Sequence, residues 1–374
     1  MPLRLALLCS AALLSGCSLF SSDSKLKPAE LTPITAGAEF VELWQGSVGK
    51  ARDFVFTPAV VEDSVFAASH DGTVVRYDQG REVWRISIDE KLSGGVGSDG
   101  QLVAVGTPKG EVLTFDAETG KPLWKARVSS EVLAAPAVGE GLVVVRSGDS
   151  RIAGLDARDG KRRWVFQRAT PTLSLRSNVG VLLGQKVVVA GFPGGKLFAI
   201  NNQTGAPIWE VAVALPKGAT ELERVADLSS SPVVQGREIC AAAFQGRVAC
   251  FDIGSGNLVW SRDISSSAGI DMDDKRVYVS DDKGTVHAFA RESGASIWKQ
   301  DKLFMRILTR PLVLGKRVAV ADFEGIVHLL DAETGAFVAR AKTDGSAVRA
   351  EPQRLGDGVL LQTRDGGVFA LRPR

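Results

Sequence analysis

Short apolar runs separated by glycine-bearing turns recur along nearly the whole chain. Within the runs, apolar positions alternate with small or polar ones. A period of two marks strands with one face buried. Ser64–Ala68 and Arg317–Ala321 open two of the copies. A turn follows each such run, at Asp71-Gly72, Lys109-Gly110, Gly194-Gly195, Gln245-Gly246, Lys283-Gly284, Glu324-Gly325 and Asp365-Gly366. Glycine suits a tight hairpin because positive φ carries no steric penalty for it. The third copy departs, with Ser150 in the slot. A second alternating strand comes next and ends in an Asx turn closed by glycine, as in Asp116 to Gly120, Asn201 to Gly205 and Asp331 to Gly335. A third strand then carries a tryptophan. One more short run upstream of each hairpin, such as Ala134–Val138 or Ser231–Val234, completes four strands per unit.

The tryptophans set the period. Trp44, Trp84, Trp124, Trp164, Trp209, Trp260 and Trp298 are separated by 40, 40, 40, 45, 51 and 38 residues, and a further 41 reaches Ala339. Four strands repeated at this spacing make the blade of a propeller. The turn slot occurs eight times, at 72, 110, 150, 195, 246, 284, 325 and 366. The pattern therefore predicts an all-β, eight-bladed β-propeller with four antiparallel strands per blade. The last copy (364–374) stops before its tryptophan strand, whereas Trp44 has no hairpin in front of it. The segment from Glu39 to Gly46 is thus expected to pair with the final unit as its outermost strand, closing the ring and removing an open edge. One ring per blade is expected to fill the wedge between neighbours rather than to build an aromatic cage.

The amino terminus adds an address. Arg4 precedes an apolar stretch, Leu5 to Leu14, too short for a mature membrane span. It ends in Leu14-Ser15-Gly16-Cys17, which resembles the bacterial lipoprotein processing box. The resemblance implies a signal peptide over 1–16, lipidation at Cys17, and, with Ser18 rather than aspartate following, the outer membrane, with the chain on its periplasmic face. Residues 17–38 read as the lipidated terminus and a flexible tether, and 39–374 as the propeller. The membrane is expected to be met through the lipid anchor only.

Composition narrows the chemistry. Forty-five basic residues against 43 acidic ones give a net charge of +2, with no basic stripe for nucleic acid. Of four cysteines, only Cys240 and Cys250 would remain free in the mature chain, on adjoining strands of one hairpin. The hairpin register decides whether they share a face, and the reading favours two buried thiols over a disulfide. His287 and His328 share a slot in neighbouring units with no third ligand suggested, so no metal site is expected. Gly95 to Gly100 matches a dinucleotide-binding spacing but leads into a strand, Gln101 to Gly106, and offers no helix terminus to a pyrophosphate. No catalytic constellation emerges and no cofactor is expected.

The blade repeat resembles that of pyrroloquinoline-quinone-dependent dehydrogenases, which makes a divergent quinoprotein the alternative reading. Those enzymes carry adjacent cysteines, calcium-binding carboxylates and large inserts, whereas no two cysteines are adjacent here. The likeness extends to the scaffold alone.

Function is sought where the repeat breaks. The two longest intervals place extra residues at 166–181 and 213–231, between a tryptophan strand and the next hairpin. Such connections emerge on one face, and these belong to consecutive blades, so they should form one patch. They contain Thr172-Leu173-Ser174-Leu175-Arg176-Ser177 and Ala219-Thr220-Glu221-Leu222-Glu223-Arg224-Val225-Ala226-Asp227-Leu228. These motifs, with the Leu-Ser-Gly-Cys start, resemble the BamB family of the outer-membrane β-barrel assembly machinery, over the whole chain. The resemblance implies a non-enzymatic accessory, monomeric within the complex, that docks on the periplasmic domains of the central barrel component, BamA, beside the other subunits. Carried across, the contact residues are Leu173, Leu175, Arg176 and Asp227. Ser229 stands where the family pattern has a second acid. Binding of nascent barrel proteins to an outer strand edge is a further expectation. Read without the family, two leucines on a loop make an apolar anchor and Arg176 offers a fork for a carboxylate. The alternative is that the leucines tuck under the loop and Arg176 pairs with Asp227.

Overall fold

The computed structural model describes residues 27–35 and 37–374, so the expected signal peptide and Cys17 lie outside the described residues. Among the described residues, every element is a strand, and thirty-two strands form eight four-stranded antiparallel sheets. Blades 1 to 7 span 59–87, 94–127, 137–166, 182–212, 233–262, 269–300 and 312–342. Blade 8 takes three strands from 353–373 and its outermost strand, Phe40–Ser47, from the chain's start. Phe40 lies opposite Pro373 and Ser47 opposite Gly367, so the ring closes as its interrupted last repeat requires.

One contact, repeated six times, holds neighbouring blades together. The indole N–H of Trp84, Trp124, Trp164, Trp209, Trp260 and Trp298 donates to Ala117, Ala157, Asn202, Ile253, Arg291 and Ala332, at 2.6–3.0 Å. Each acceptor is a backbone carbonyl in the turn between the third and fourth strands of the next blade. The glycine closing that turn is required twice over. Gly160 has φ +71°, and a Cβ there would meet the Trp124 ring at 2.5 Å. Each indole is therefore both wedge and hydrogen-bond donor, as a ring with one polar handle can be.

The exceptional junctions follow from the closure. Blade 8 has no turn before its outer strand, because the chain ends meet there: Arg374 N donates to Glu39 O at 2.8 Å. With no glycine turn to dock on, blade 7 has Ala339 in the tryptophan slot, in a core cluster that Phe40 packs against. Trp44 sits on blade 8 and covers Gly80 of blade 1, where a Cβ would lie 2.5 Å from it.

Two expectations need correction. Cys240 and Cys250 are joined by a disulfide, directly opposite each other on neighbouring strands and fully buried. The fifth hairpin keeps the register of the other copies, with Ala242 opposite Val248 as Ala68 is opposite Val74, and that register puts the two side chains on one face. In the same hairpin the left-handed residue is Gln245 (φ +47°), one place before the glycine, while Ser150 (φ +63°) takes the conformation in blade 3. The segment expected to be a tether also behaves differently where it is described. Ala29 N donates to Phe304 O at 2.9 Å, Arg340 Nη1 to Thr32 O at 2.6 Å, and Gly37 N and Ala38 N both donate to Val338 O.

His287 and His328 each bond an aspartate in their own hairpin, Asp281 at 2.9 Å and Asp322 at 3.0 Å. Burial drives the His328 imidazole below its usual pKa, against the opposing pull of Asp322. Among the described residues, no three metal-ligating side chains converge.

Candidate protein-docking site

The connections from each outer strand to the next blade leave on the same face as the hairpin turns, as the bonds from Val128 N to Gly110 O and from Val213 N to Gly195 O show. Both long inserts lie on that face, between blades 3 and 4 and between blades 4 and 5.

The first insert rises from an aromatic base. Phe166, Phe192 and Phe198 pack edge to face with centroids 5.0–5.7 Å apart, and the Arg168 guanidinium lies 4.7 Å from the Phe166 centroid. Residues 167–176 are exposed, and Leu173 and Leu175 show 46% and 36% of their surfaces to solvent. The leucines therefore do not tuck beneath the loop. The satellite core that could have taken them is formed by the second insert, whose Val225, Ala226 and Leu228 are buried.

Asp227 joins the two inserts. Its carboxylate is 3% exposed and accepts from Leu175 N at 2.6 Å and Gly194 N at 2.9 Å, while its own carbonyl accepts from Phe244 N at 2.9 Å. An ionised carboxylate bonded to backbone N–H groups is a strong, short-range clamp. The acid thus fixes the backbone of the leucine loop from beneath and presents no free oxygen to a partner. Arg146, buried beside it, is driven down to about 10 by desolvation, partly offset by the Asp227 charge. Through these bonds Asp227 ties the leucine loop and the hairpin turns of blades 4 and 5 to one point.

Arg176 does not pair with Asp227. Its Nε donates to Glu131 Oε1 at 3.2 Å, and its guanidinium lies 5.9 Å from the Phe54 ring centroid. The side chain is 63% exposed, so this pair holds it loosely and contributes little to stability. Beside it opens a cavity of about 140 Å³ lined by Phe54, Val55 and Leu133 with Asp53, Ser93 and Asn178.

Two exposed leucines were not singled out from the sequence. Leu215 is 58% and Leu222 70% exposed, both on the second insert. Leu222 rides on a single helical turn locked by reciprocal caps. Glu223 Oε2 accepts from Ala219 N and Thr220 N at 2.7 and 3.1 Å, and Thr220 Oγ1 accepts from Glu223 N at 3.2 Å. The Thr-x-x-Glu spacing was the legible signal for that turn. Four aliphatic side chains and one arginine thus stand on two rigidly based loops of one face. Apolar anchors with a charged fork are the make-up of a protein-docking surface.

A closed ring with its elaboration confined to such a surface defines a scaffold class of propeller. The sequence relationships are specific within that class. The family model described as outer membrane protein assembly factor BamB matches residues 70–300. The BamB protein of Bordetella pertussis is 46% identical over 363 residues, covering 96% of this chain and 94% of the relative. The crystal structure of BamB from Moraxella catarrhalis superposes with a TM-score of 0.83 at 29% identity, covering 89% of this chain and 99% of that one. The chain belongs to the BamB family. The quinohemoprotein alcohol dehydrogenase of Comamonas testosteroni is similar in fold alone, with a TM-score of 0.72 at 13% identity over 89% of this chain and 76% of that one.

Proposed function

We propose that this chain is a non-enzymatic assembly factor for outer-membrane β-barrel proteins, and that its insert face docks on the periplasmic domains of the central barrel component. Family membership supports the assembly role and the association with the outer membrane. The observation that carries the docking reading is the leucine loop, exposed at Leu173 and Leu175 yet held at its backbone by buried Asp227. A loop fixed before it binds loses less conformational freedom on association, which favours affinity. Arg176 supplies the fork for a partner carboxylate, and Leu222 extends the apolar surface.

The periplasmic location follows from the reading of Cys17 as the lipidated residue. Labelled fatty acid should enter the wild-type chain and not the Cys17→Ala variant, which should remain a folded soluble ring. Label in both would move the anchor elsewhere. For the partner, immobilised periplasmic domains of the barrel component should capture the mature protein, and Arg176→Glu should weaken capture. Redox-dye reduction with added quinone and calcium, without capture, would replace the scaffold reading with the quinoprotein one.

A further inference from the structure

The described start of the chain is fastened at one place on the ring. Ala29 N donates to Phe304 O at 2.9 Å, and Arg306 Nη1 donates to Ala29 O at 3.1 Å. Leu31 packs against the core shared by blades 6 and 7, and Thr32 O is held by Arg340. The segment then reaches Val338 near the opposite face before Phe40–Ser47 climbs back along blade 8. It therefore starts on the insert face, beside the connection between blades 6 and 7. The fastening is built in. Arg306, only 3% exposed, bonds Asp322 at 2.7 Å as well as Glu324, and Asp322 also bonds His328.

That connection has an unusual shape. Met305 and Ile307 both have positive φ, +56° and +49°. A β-branched residue in left-handed backbone is strained, and such strain persists only where the surroundings impose it. Here Arg306 and Leu308 are buried on either side, which turns Ile307 outward at 69% exposure. Ile307 does not continue the docking patch. The intervening connection carries Ser265 and Ser267, both bonded to Asp282.

We propose that this blade 6–7 corner, led by Ile307, rests on the lipid surface of the membrane to which the chain is anchored. The inference depends on the reading of Cys17 as the anchor. Lys27 lies ten residue steps from Cys17, and ten steps span at most about 35 Å when fully extended. The corner is thus the part of the ring nearest the anchor by chain length. Its exposed charges are of both signs, with Lys27, Lys283 and Lys302 beside Glu30, Asp282, Asp301 and Glu324. Charge does not draw it to the surface. The anchor brings it there, and the apolar tip enters the interface.

The test uses full-length lipidated protein and vesicles of phosphatidylethanolamine and phosphatidylglycerol. An environment-sensitive fluorophore is placed on Ile307→Cys, on Lys302→Cys in the same corner, and on Glu292→Cys in a turn of the opposite face. Variants are used only if they melt as the wild type does. Emission should shift to shorter wavelength at 307, less at 302, and not at 292. Flotation with the vesicles but no shift at 307 or 302, or equal shifts at all three sites, would overturn the proposal while leaving the anchor intact. Failure to float would remove the anchor reading, and this inference with it.

Discussion

The two faces of the ring carry the same number of blades and differ in what their connections are used for. On one face the turns between third and fourth strands are near copies. Asp116, Asn201, Asp252 and Asp331 each accept a backbone N–H three residues on, at 2.8–3.0 Å, and the closing glycines lie under indole rings. Their polar groups and surfaces are consumed in holding blade to blade. On the other face the connections vary in length, and two of them lift four leucines into solvent. Uniformity marks positions committed to the ring's own stability, and irregularity leaves side chains uncommitted to it, as the docking proposal requires. Substitutions should accordingly separate into those that cost folding and those that cost binding.

The largest effect is expected at the closure. Deleting residues 39–47 removes the outer strand of blade 8 together with Trp44, and should abolish the cooperative melting transition, whereas deleting 18–26 should leave it in place. Equal melting temperatures would contradict closure by the N-terminal strand. On the uniform face, Trp164→Ala removes a buried indole and its bond to Asn202 O. It should cost about 3–5 kcal/mol in chemical denaturation, with partner binding unchanged per folded molecule. Weakened binding without destabilisation would reverse the assignment of the two faces.

Next comes the disulfide. Replacing Cys240 and Cys250 by alanine should cost about 2–3 kcal/mol for so short a loop, and neither thiol should alkylate in the unreduced, unfolded protein. Alkylation before reduction would show free thiols. A smaller stability change is expected at Asp227, beneath the leucine loop. Asp227→Ala leaves Leu175 N and Gly194 N without their acceptor, a loss of about 1–3 kcal/mol, and should speed amide exchange at both. Unaltered exchange would mean that Asp227 does not hold the loop.

The ring was legible in the sequence because every blade repeats the same turn and wedge, so one unclear copy is read from its neighbours. Closure was legible for the same reason, as an unfinished last repeat matched by an orphan Trp44. The disulfide was missed although the shared hairpin register contained it. Treating the turn at Gln245-Gly246 in isolation left the facing of Cys240 and Cys250 open, since one residue of slip reverses it. Leu173, Leu175 and Arg176 could be found because they stand where the period breaks. The way Asp227 acts could not, because its bond to Leu175 crosses 52 residues and depends on how two inserts fold over each other. Glu131 as the partner of Arg176 was hidden likewise, on the preceding connection, one blade and 45 residues away in sequence.

The central claim is that the exposed leucine loop serves the partner and not the ring. Binding of the Leu173→Ala, Leu175→Ala double variant to the periplasmic domains of the barrel component, measured beside its melting temperature, tests it most directly. Affinity should fall by about 2 kcal/mol or more, roughly thirty-fold, with the melting temperature unchanged. Loss of stability along with affinity would make the leucines part of the ring's packing, and unchanged affinity would place the partner elsewhere.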